Sequence, residues 1–162
     1  MKIVAMIPAR LGSTRVKNKN IRYLGEKPLV QYIIESAKKS KLINSIYVNS
    51  ENLILKKISD FLGVNFYKRN KLLSSNSSTN DDFALDFLNN IDCDILIQLL
   101  PTSPFIETSQ IDSFINKMIK NKLDTLISIK EIRIESLYKG KEINFKKRKQ
   151  TPPSQDLIPI QA

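Results

Sequence analysis

Short, almost fully apolar runs alternate along this chain with longer segments of helical periodicity, and this alternation constrains the fold more than any other feature. The apolar runs are "KIVAMI" (2–7), "SIYVNS" (45–50), "VNFYK" (64–68) and "DILIQLL" (94–100). Uninterrupted apolar runs are typical of strands buried on both faces of a parallel sheet, with helices packed on either side. We therefore predict an α/β fold with a mostly parallel central sheet, in which "DILIQLL", the most apolar run, is the central strand.

Four other segments repeat apolar side chains every three to four residues, which places those side chains on one face of a helix. The segments span residues 28–41, 51–63, 81–90 and 110–121. Each helix is expected to turn its apolar face towards the core. In the second segment the predicted inward-facing residues are Ile54, Leu55, Ile58, Phe61 and Leu62.

The predicted helix ends are marked by residues that suit such positions. Gly63 is expected to end the second helix, since glycine reaches a left-handed conformation without steric strain. Thr79 or Asn80 is the predicted N-cap of the third helix, and Ser109 is the predicted N-cap of the fourth.

The last part of the chain has a weaker pattern. "DTLISIK" (124–130) is predicted as a further strand, and a β excursion followed by a Pro-rich extended segment is expected around and beyond Gly140. The sequence shows no internal repeat and no obvious second domain. Residues 1–162 are therefore expected to form a single domain.

The chain contains no histidine and one cysteine, Cys93. The lack of histidine excludes Ser-His and Cys-His nucleophiles and His-ligated metal sites, so a metal here would be a hard cation such as Mg²⁺ on carboxylate oxygens. A lone cysteine forms no intrachain disulfide, which suits a cytoplasmic location. No apolar stretch approaches the roughly 18–20 residues of a membrane span, and "MKIVAMIPARLG" is interpreted as a first strand rather than a signal peptide. No membrane partner is expected.

The formal net charge is +10, and two basic clusters stand out. One lies within residues 10–19, and the other is "KKRK" at 146–149, which is interpreted as a solvated loop. A strongly basic chain raises the alternative of a non-catalytic fragment that binds nucleotides, RNA or another anionic polymer. The aromatic residues fall mostly in apolar stripes rather than among the basic residues, so no nucleic-acid partner is expected.

Polar segments lie where several predicted strands end. Residues 8–20 follow the first strand, 49–51 the second and 101–104 the most apolar one, while the polar stretch 69–80 lies near them in the expected topology. In open α/β sheets, ligands bind beyond the carboxyl ends of the strands. The sequence therefore predicts a binding site formed by these four segments.

The first of these segments, within "IPARLGSTRVKNKN" (7–20), combines small residues with cations. It lacks the G-x-G-x-x-G of dinucleotide-binding folds and the G-K-[ST] of a P-loop. Small residues allow backbone N–H groups to approach an anion, and guanidinium and ammonium groups bind phosphate oxygens. This combination favours recognition of a nucleoside triphosphate. The small residues are Gly12, Ser13 and Thr14, and the cations are Arg10, Arg15 and Lys19.

Over residues 7–37 the chain closely resembles the acylneuraminate cytidylyltransferases, the enzymes that make CMP-sialic acid and related CMP-nonulosonic acids. The family pattern I-P-A-R-x-G-S is matched at residues 7–13, and its K-N pair is matched by Lys19 and Asn20. "FYKRNKLLSSNSSTNDD" and "LLPTSPF" resemble two later family blocks. The resemblance runs in order from residue 3 to about residue 160.

This resemblance implies a Rossmann-like, three-layer, GT-A-like nucleotidyltransferase. In this family the anomeric hydroxyl of an acidic sugar attacks the α-phosphate of CTP, and pyrophosphate leaves in a Mg²⁺-dependent reaction. By position, Arg10 and Lys19 match the residues that hold the triphosphate and are the catalytic candidates; Asn20 matches a nucleotide contact, and Arg69 matches an arginine near the cytosine pocket. The other implied nucleotide-binding residues are Ala9, Gly12, Ser13 and Asn80.

The chain also departs from the family pattern. The glutamine expected before Pro-Thr-Ser-Pro is Leu100 here, and Gln98 lies two residues earlier on the same face of the strand. Asn80 stands where a serine of the family meets the base, and "NSE" at 49–51 replaces S-T-D. These changes suggest a divergent subfamily with a different acyl sugar. The predicted sugar or nucleotide pocket is Gln98, Leu100, Thr102 and Ser103.

Family members continue through an N-G-A-I-Y strand, a dimerisation excursion and a C-terminal D-x-D that binds Mg²⁺. By this comparison the chain is expected to be C-terminally truncated, with its Mg²⁺ ligands beyond residue 162, so no metal ligand is assigned within it. The full-length family implies a homodimer. We expect this chain alone to bind CTP weakly and to turn over poorly or not at all.

A related alternative is a cytidylyltransferase for an octulosonic acid, or another sugar nucleotidyltransferase. The octulosonic enzymes open with a similar block, but they typically read Leu-Pro-Gly-Lys where this chain reads "VKNKN" at 16–20. The Lys-Asn pair favours the nonulosonic enzymes. The expected substrates are therefore CTP and an acidic nonulosonic sugar of the sialic, legionaminic or pseudaminic type.

Overall fold

A computed structural model describes residues 1–13, 15–75, 78–144 and 157–161. Thr14, the "KKRK" run at 146–149 and residues 151–156 of the predicted Pro-rich segment lie outside the described residues. The chain divides into two compact units, Met1–Lys122 and Leu123–Ala162. The single nucleotidyltransferase domain expected over residues 1–162 stays a prediction.

The described residues of the first unit form six strands, four helices and two short 3₁₀ turns. The strands are β1 (Ile3–Pro8), β2 (Tyr23–Leu24), β3 (Lys27–Pro28), β4 (Ser45–Ser50), β5 (Asn65–Lys68) and β6 (Ile95–Gln98). The helices are α1 (Leu29–Lys38), α2 (Leu53–Leu62), α3 (Asn80–Leu88) and α4 (Thr108–Lys120). The 3₁₀ turns are Lys19–Ile21 and Lys71–Ser74.

Four of these strands form one parallel sheet in the order β5-β4-β1-β6. Ala5 of β1 pairs with Ile46 of β4 on one side and with Ile97 of β6 on the other. The predicted α/β fold with a mostly parallel sheet is therefore confirmed. β2 and β3 pair with each other in a separate antiparallel ladder.

Two predicted strand positions are wrong. β6, predicted as the central strand, lies at the edge of the sheet that the described residues form, and β1 and β4 are the inner strands. Residues 124–130, predicted as a further strand, contain no strand, and the side chains of Ile127 and Ile129 are exposed. An apolar run becomes a strand only when another backbone pairs with it, and the run itself does not specify that neighbour.

Helices cover both faces of the sheet, because successive side chains of a strand point to opposite faces. On one face, Ala5 and Ile7 share a core cluster with residues of α1 and α4, and on the other face Val4 and Met6 pack with Phe83 and Phe87 of α3. The predicted three-layer arrangement is thus confirmed. Complete burial of a side chain as large as Phe87 stabilises the fold by roughly 2–3 kcal/mol.

The helix ends agree with two of the three predictions. Gly63 ends α2 with a left-handed φ of 65°, as predicted. Thr79 is the N-cap of α3: its Oγ1 accepts a hydrogen bond from the Asp82 N–H, and the Asp82 carboxylate accepts one from the Thr79 N–H. The prediction for Ser109 is wrong, because α4 begins at Thr108 and its N-cap is Glu107, whose N–H donates to the side chain of Gln110.

The predicted apolar face of α2 is partly wrong. Leu55 is buried, but Ile54 is 48% exposed and Phe61 is 84% exposed. Ser59 is fully buried in their place, and its Oγ donates to the Leu55 carbonyl at 2.8 Å. Ile54 and Phe61 lie about 100° around the helix from Leu55, so one packed stripe cannot bury all of them.

The second unit contains short antiparallel ladders. β7 (Glu131–Ile132), β8 (Leu137–Tyr138), β9 (Lys141–Glu142) and β10 (Ile160–Gln161) pair as β7 with β10 and β8 with β9. Lys139 and Gly140 connect β8 to β9 with φ values of 50° and 77°, the signs that a tight type I′ hairpin turn requires, so the predicted β excursion is confirmed. Among the described residues, no helix has the length and apolarity that crossing a bilayer requires.

Candidate functional site

A cavity of about 600 Å³ opens where β1, β5 and β6 end. This is the edge of a parallel sheet at which α/β proteins bind ligands. Three of the four predicted segments, 8–20, 69–80 and 101–104, contribute to its lining, and residues 49–51 do not. The lining residues are Pro8, Arg10, Ser13, Arg15, Val16, Lys19, Asn20, Arg69, Leu73, Ser75, Ser78, Asn80, Phe83, Leu100, Pro101 and Thr102.

Four of the lining side chains are cations, and none of the described lining side chains is a carboxylate. Within the described part of the chain, none of the four takes part in an ion pair. Cations that converge without a direct ion pair repel one another, and a bound anion offsets that repulsion. The cavity is therefore suited to a ligand with several negative charges. The four cations are Arg10, Arg15, Lys19 and Arg69.

Arg10 is held at both its side chain and its backbone. Its Nη1 donates to the carbonyl oxygens of Ser74 at 3.1 Å and Ser75 at 2.9 Å, at the end of the second 3₁₀ turn. Its own carbonyl oxygen accepts a hydrogen bond from Asn20 Nδ2 at 2.9 Å, and Asn20 is only 6% exposed. Asn20, predicted as a nucleotide contact, thus lines the cavity and also holds the backbone of Arg10.

Arg69 is a buried cation, with 4% of its surface exposed. Its Nε donates to Asn49 Oδ1 at 2.6 Å and its Nη2 to the Asn49 carbonyl at 2.8 Å, while its guanidinium carbon lies 4.4 Å from the centre of the Phe83 ring. Burial lowers the pKa of Arg69; Glu51 raises that pKa and the neighbouring Arg10 lowers it. Arginine nevertheless stays protonated at neutral pH, so a fixed positive charge lies in the wall of the cavity.

The N-terminus of α3 forms another part of the wall. Asn80 is the first residue of this helix, and Phe83 lies one turn later on the same side, so both contribute to the lining. The capping pair of Thr79 and Asp82 fixes where the helix begins. An amide and an aromatic ring therefore lie side by side near Arg69.

Of the four residues predicted for the sugar or nucleotide pocket, Leu100 and Thr102 line the cavity and Gln98 and Ser103 do not. The Ser103 N–H donates to the Leu100 carbonyl at 3.0 Å, which closes a turn and places Thr102 at the cavity. Gln98 pairs with Met6 across the sheet, and its Nε2 is buried without a hydrogen-bond partner in the described structure. A buried amide donor of this kind is costly unless another group binds it.

Ala9 and Gly12, predicted to bind the nucleotide, are not among the lining residues, whereas Ser13 is. Ala9 belongs to the core, and its N–H donates to the Asn49 carbonyl at 3.1 Å, so it is not available to a ligand. Gly12 is exposed, and an added Cβ would contact nothing within 4 Å. Its role in letting phosphate approach the backbone stays a prediction.

Sequence reasoning missed several lining residues. Ser75 and Ser78 lie in the polar stretch that was expected near the site, but no signal singled them out. Phe83 belongs to an amphipathic helix, and its spacing of three residues from Asn80 places both on one side of α3. The residues not predicted individually are Pro8, Val16, Leu73, Ser75, Ser78, Phe83 and Pro101.

A Mg²⁺ ion, which the family resemblance implies, requires several oxygen ligands, above all carboxylates. The described residues contain no group of three or more acidic, histidine or cysteine side chains that could hold a metal ion. The cavity lining also lacks a carboxylate. The described residues therefore offer no such cluster, and the location of the Mg²⁺ ligands beyond residue 162 stays a prediction.

Comparison with known sequences identifies the family. The sequence pattern that defines the cytidylyltransferases matches residues 4–151, which is most of this chain. The chain belongs to the cytidylyltransferase family. The cationic cavity and the predicted triphosphate loop both lie within the matched region.

The curated relatives of this chain are cytidylyltransferases for two kinds of sugar. The 3-deoxy-manno-octulosonate cytidylyltransferase of Bdellovibrio bacteriovorus is 30% identical over 138 residues, which cover 85% of this chain and 54% of that enzyme. The N-acylneuraminate cytidylyltransferase of Escherichia coli O18:K1:H7 is 34% identical over 113 residues, which cover 68% of this chain and 26% of that enzyme. Octulosonate enzymes are the more numerous of these relatives, so membership of the acylneuraminate branch is not confirmed. The chain spans about half the length, or less, of the curated relatives it matches.

Solved structures confirm the fold. A CMP:2-keto-3-deoxy-manno-octonic acid synthetase complexed with CTP superposes with a TM-score of 0.68 at 20% identity, over 75% of this chain and 49% of that protein. A 4-diphosphocytidyl-2C-methyl-D-erythritol synthase superposes with a TM-score of 0.66 at 11% identity, over 99% of this chain and 73% of that protein. The predicted Rossmann-like nucleotidyltransferase fold is therefore confirmed.

Proposed function

We propose that this chain binds CTP in the cationic cavity and belongs to an enzyme that transfers CMP to an acidic eight- or nine-carbon sugar. The observation that carries the proposal is the convergence of four cations on a cavity without a carboxylate. A nucleoside triphosphate supplies the several negative charges that such a cavity requires, and membership of the cytidylyltransferase family supports cytidine as the nucleoside.

The proposed reaction needs positioned charge more than it needs an acid or a base. The anomeric hydroxyl oxygen of the sugar forms a bond to the α-phosphorus of CTP. The bond from that phosphorus to the bridging oxygen breaks, pyrophosphate leaves with the electron pair, and the hydroxyl proton passes to solvent. Arg10 and Lys19 hold the phosphates and offset the charge on the leaving pyrophosphate.

The opposite wall of the cavity is proposed to bind the base. Arg69, fixed by Asn49 against Phe83, presents a charged donor, and the Asn80 amide both donates and accepts hydrogen bonds. Cytosine carries one donor group beside two acceptors, and this combination matches an amide and a guanidinium.

The sugar is proposed from two observations that point to different chain lengths. The number of octulosonate relatives favours an eight-carbon acid. The Lys19-Asn20 pair, in contrast, favours a nine-carbon acid of the sialic, legionaminic or pseudaminic type. Both are acidic sugars, so an anionic acceptor is common to the two proposals.

Calorimetric titration of the chain with CTP, UTP and ATP tests the nucleotide assignment. We expect CTP to bind more tightly than the other two, and Arg10→Gln and Lys19→Met each to weaken CTP binding. Asp60→Asn, which removes an exposed charge on α2, is the matched control and should leave the affinity unchanged. Tighter binding of UTP or ATP would contradict the CTP proposal.

Release of pyrophosphate tests the reaction and the sugar. The chain is mixed with CTP, Mg²⁺ and either an octulosonic or a nonulosonic acid. We expect weak turnover at most from this chain, and the sugar that raises pyrophosphate release above the CTP-only rate identifies the acceptor. CTP binding without release on either sugar would agree with the expected truncation as well as with the non-catalytic alternative. Light scattering on the same sample tests the proposed homodimer.

A further inference from the structure

Glu51 is not part of the lining of the cationic cavity, but it contacts Ser74, which lies between the lining residues Leu73 and Ser75. It follows the last residue of β4, and its carboxylate accepts a hydrogen bond from Ser74 Oγ at 2.8 Å. Among the hydrogen bonds and ion pairs of the described residues, this is the contact that ties the end of β4 to the 3₁₀ turn Lys71–Ser74. Glu51 belongs to a segment predicted near the binding site and departs from the family's S-T-D, but the sequence indicated no role for it.

Ser74 joins Glu51 to Arg10. Its hydroxyl donates to the Glu51 carboxylate, while its backbone carbonyl accepts from Arg10 Nη1 at 3.1 Å. The next carbonyl, that of Ser75, accepts from the same nitrogen at 2.9 Å. The position of the Arg10 guanidinium therefore depends on where the carbonyls of this turn lie, and the Glu51 carboxylate holds the turn by its side chain.

The electrostatic surroundings agree with this arrangement. Arg10 and Arg69 are close enough that Arg10 lowers the pKa of Arg69, while Glu51 raises it. The carboxylate thus attracts the Arg69 guanidinium and offsets part of the repulsion that Arg10 exerts on it, without being part of the cavity lining. A carboxylate inside the cavity would instead repel the phosphates of a bound nucleotide.

We propose that Glu51 is a positioning residue: through its hydrogen bond with Ser74 it holds the 3₁₀ turn whose carbonyls orient Arg10 towards the phosphates of the nucleotide. This inference rests on the proposed function. Glu51 itself touches neither the nucleotide nor the reacting atoms. Its effect on the binding of the phosphates passes through Arg10.

Dependence of the effect on Arg10 provides the decisive test. Calorimetry measures the affinity for CTP and for cytidine, which lacks phosphates, in the wild type, Glu51→Ala, Ser74→Ala, Arg10→Gln and the double variant of Glu51→Ala with Arg10→Gln. We expect Glu51→Ala and Ser74→Ala each to weaken CTP binding about tenfold and to leave cytidine binding unchanged. In the Arg10→Gln background, Glu51→Ala should have no further effect.

Two further variants separate positioning from general damage. Glu51→Gln keeps an acceptor for Ser74 Oγ. Loss of the negative charge strengthens the attraction of the cavity for phosphates, but it also removes a charge that offsets the repulsion between Arg10 and Arg69. These two effects oppose each other, so the CTP affinity of this variant should stay within about threefold of wild type. Asp60→Asn on α2 is the matched control for loss of a carboxylate. Thermal unfolding of each variant establishes that it is folded.

The outcomes separate this inference from the proposed function. If the wild-type chain fails to bind CTP, the proposed function is wrong. If the wild type binds CTP, the inference on Glu51 is overturned by any of three results: unchanged affinity in Glu51→Ala, equal weakening of CTP and cytidine, or a full effect of Glu51→Ala in the Arg10→Gln background. A loss in Glu51→Gln as large as in Glu51→Ala would also overturn it, because the hydrogen bond would then not be the cause.

Discussion

Asn20 offers a sharp test of how the cavity is built. Family resemblance predicts that its amide contacts the nucleotide, whereas in the structure Asn20 Nδ2 donates to the Arg10 carbonyl at 2.9 Å. Asn121 makes the same kind of bond, from its Nδ2 to the Lys117 carbonyl at 2.9 Å, at the exposed end of α4. The two asparagines therefore match in chemistry and differ in burial.

Replacement of each asparagine by leucine removes the amide donor and keeps a similar side-chain volume. At position 20, which is 6% exposed, water cannot readily replace the lost donor, so the Arg10 carbonyl stays unpaired at a cost of about 1–3 kcal/mol. At position 121, water takes the place of the amide and the cost should stay below about 0.5 kcal/mol. The melting temperature should fall by about 2–4 °C for each kcal/mol lost in a chain of this size.

Urea unfolding followed by circular dichroism measures both free energies, and calorimetry measures CTP affinity. We expect Asn20→Leu to lower both stability and CTP affinity, because the backbone of Arg10 loses its support. Equal stability losses in Asn20→Leu and Asn121→Leu would refute the argument from burial. A loss of CTP affinity with unchanged stability would instead show that Asn20 acts only as a direct nucleotide contact.

Three further predictions concern packing, backbone strain and titration. Phe87→Ala should lower the free energy of unfolding, measured with urea, by about 3–5 kcal/mol, because this ring is fully buried between Tyr47 and Tyr67. Phe61→Ala should leave that free energy almost unchanged. Equal losses in the two variants would contradict the observed orientation of α2. Gly63→Ala should lower the unfolding free energy by about 1 kcal/mol through backbone strain at a φ of 65°. No steric clash adds to this loss, because the added Cβ meets only Lys38 Nζ at 4.0 Å. An unchanged value would argue against the left-handed end of α2. Burial and the Asp86 carboxylate raise the pKa of Tyr67 to about 12. The resulting contribution to stability is complete below the unfolded pKa of about 10 and is lost as the pH rises to about 12. Ultraviolet titration should show this raised pKa, and Tyr67→Phe should flatten the dependence of the unfolding free energy on pH between these two values.

The sequence by itself determined the features that depend on short stretches of chain. Apolar runs and helical spacing predicted the α/β class, and the left-handed end of α2 at Gly63 followed from the small number of residues that adopt such a conformation. The loop after β1 was located because its cations and small residues are contiguous. Arg10 and Lys19 were therefore found before any tertiary contact was known.

The tertiary structure decided the features that depend on distant partners. The edge position of β6, the exposure of Phe61 and the absence of a strand at 124–130 follow from which backbones and faces meet, and periodicity leaves that choice open. Arg69 became a buried cation only through Asn49 and Phe83, which lie in other elements.

Arg10 shows most clearly what the sequence determined and what the tertiary structure decided. Its position in the sequence indicated a phosphate ligand, but its orientation depends on hydrogen bonds to residues more than sixty positions away, the carbonyls of Ser74 and Ser75. A local pattern specifies which charges a loop carries. The direction in which such a charge points is set by hydrogen bonds and packing between segments that only the folded chain brings together.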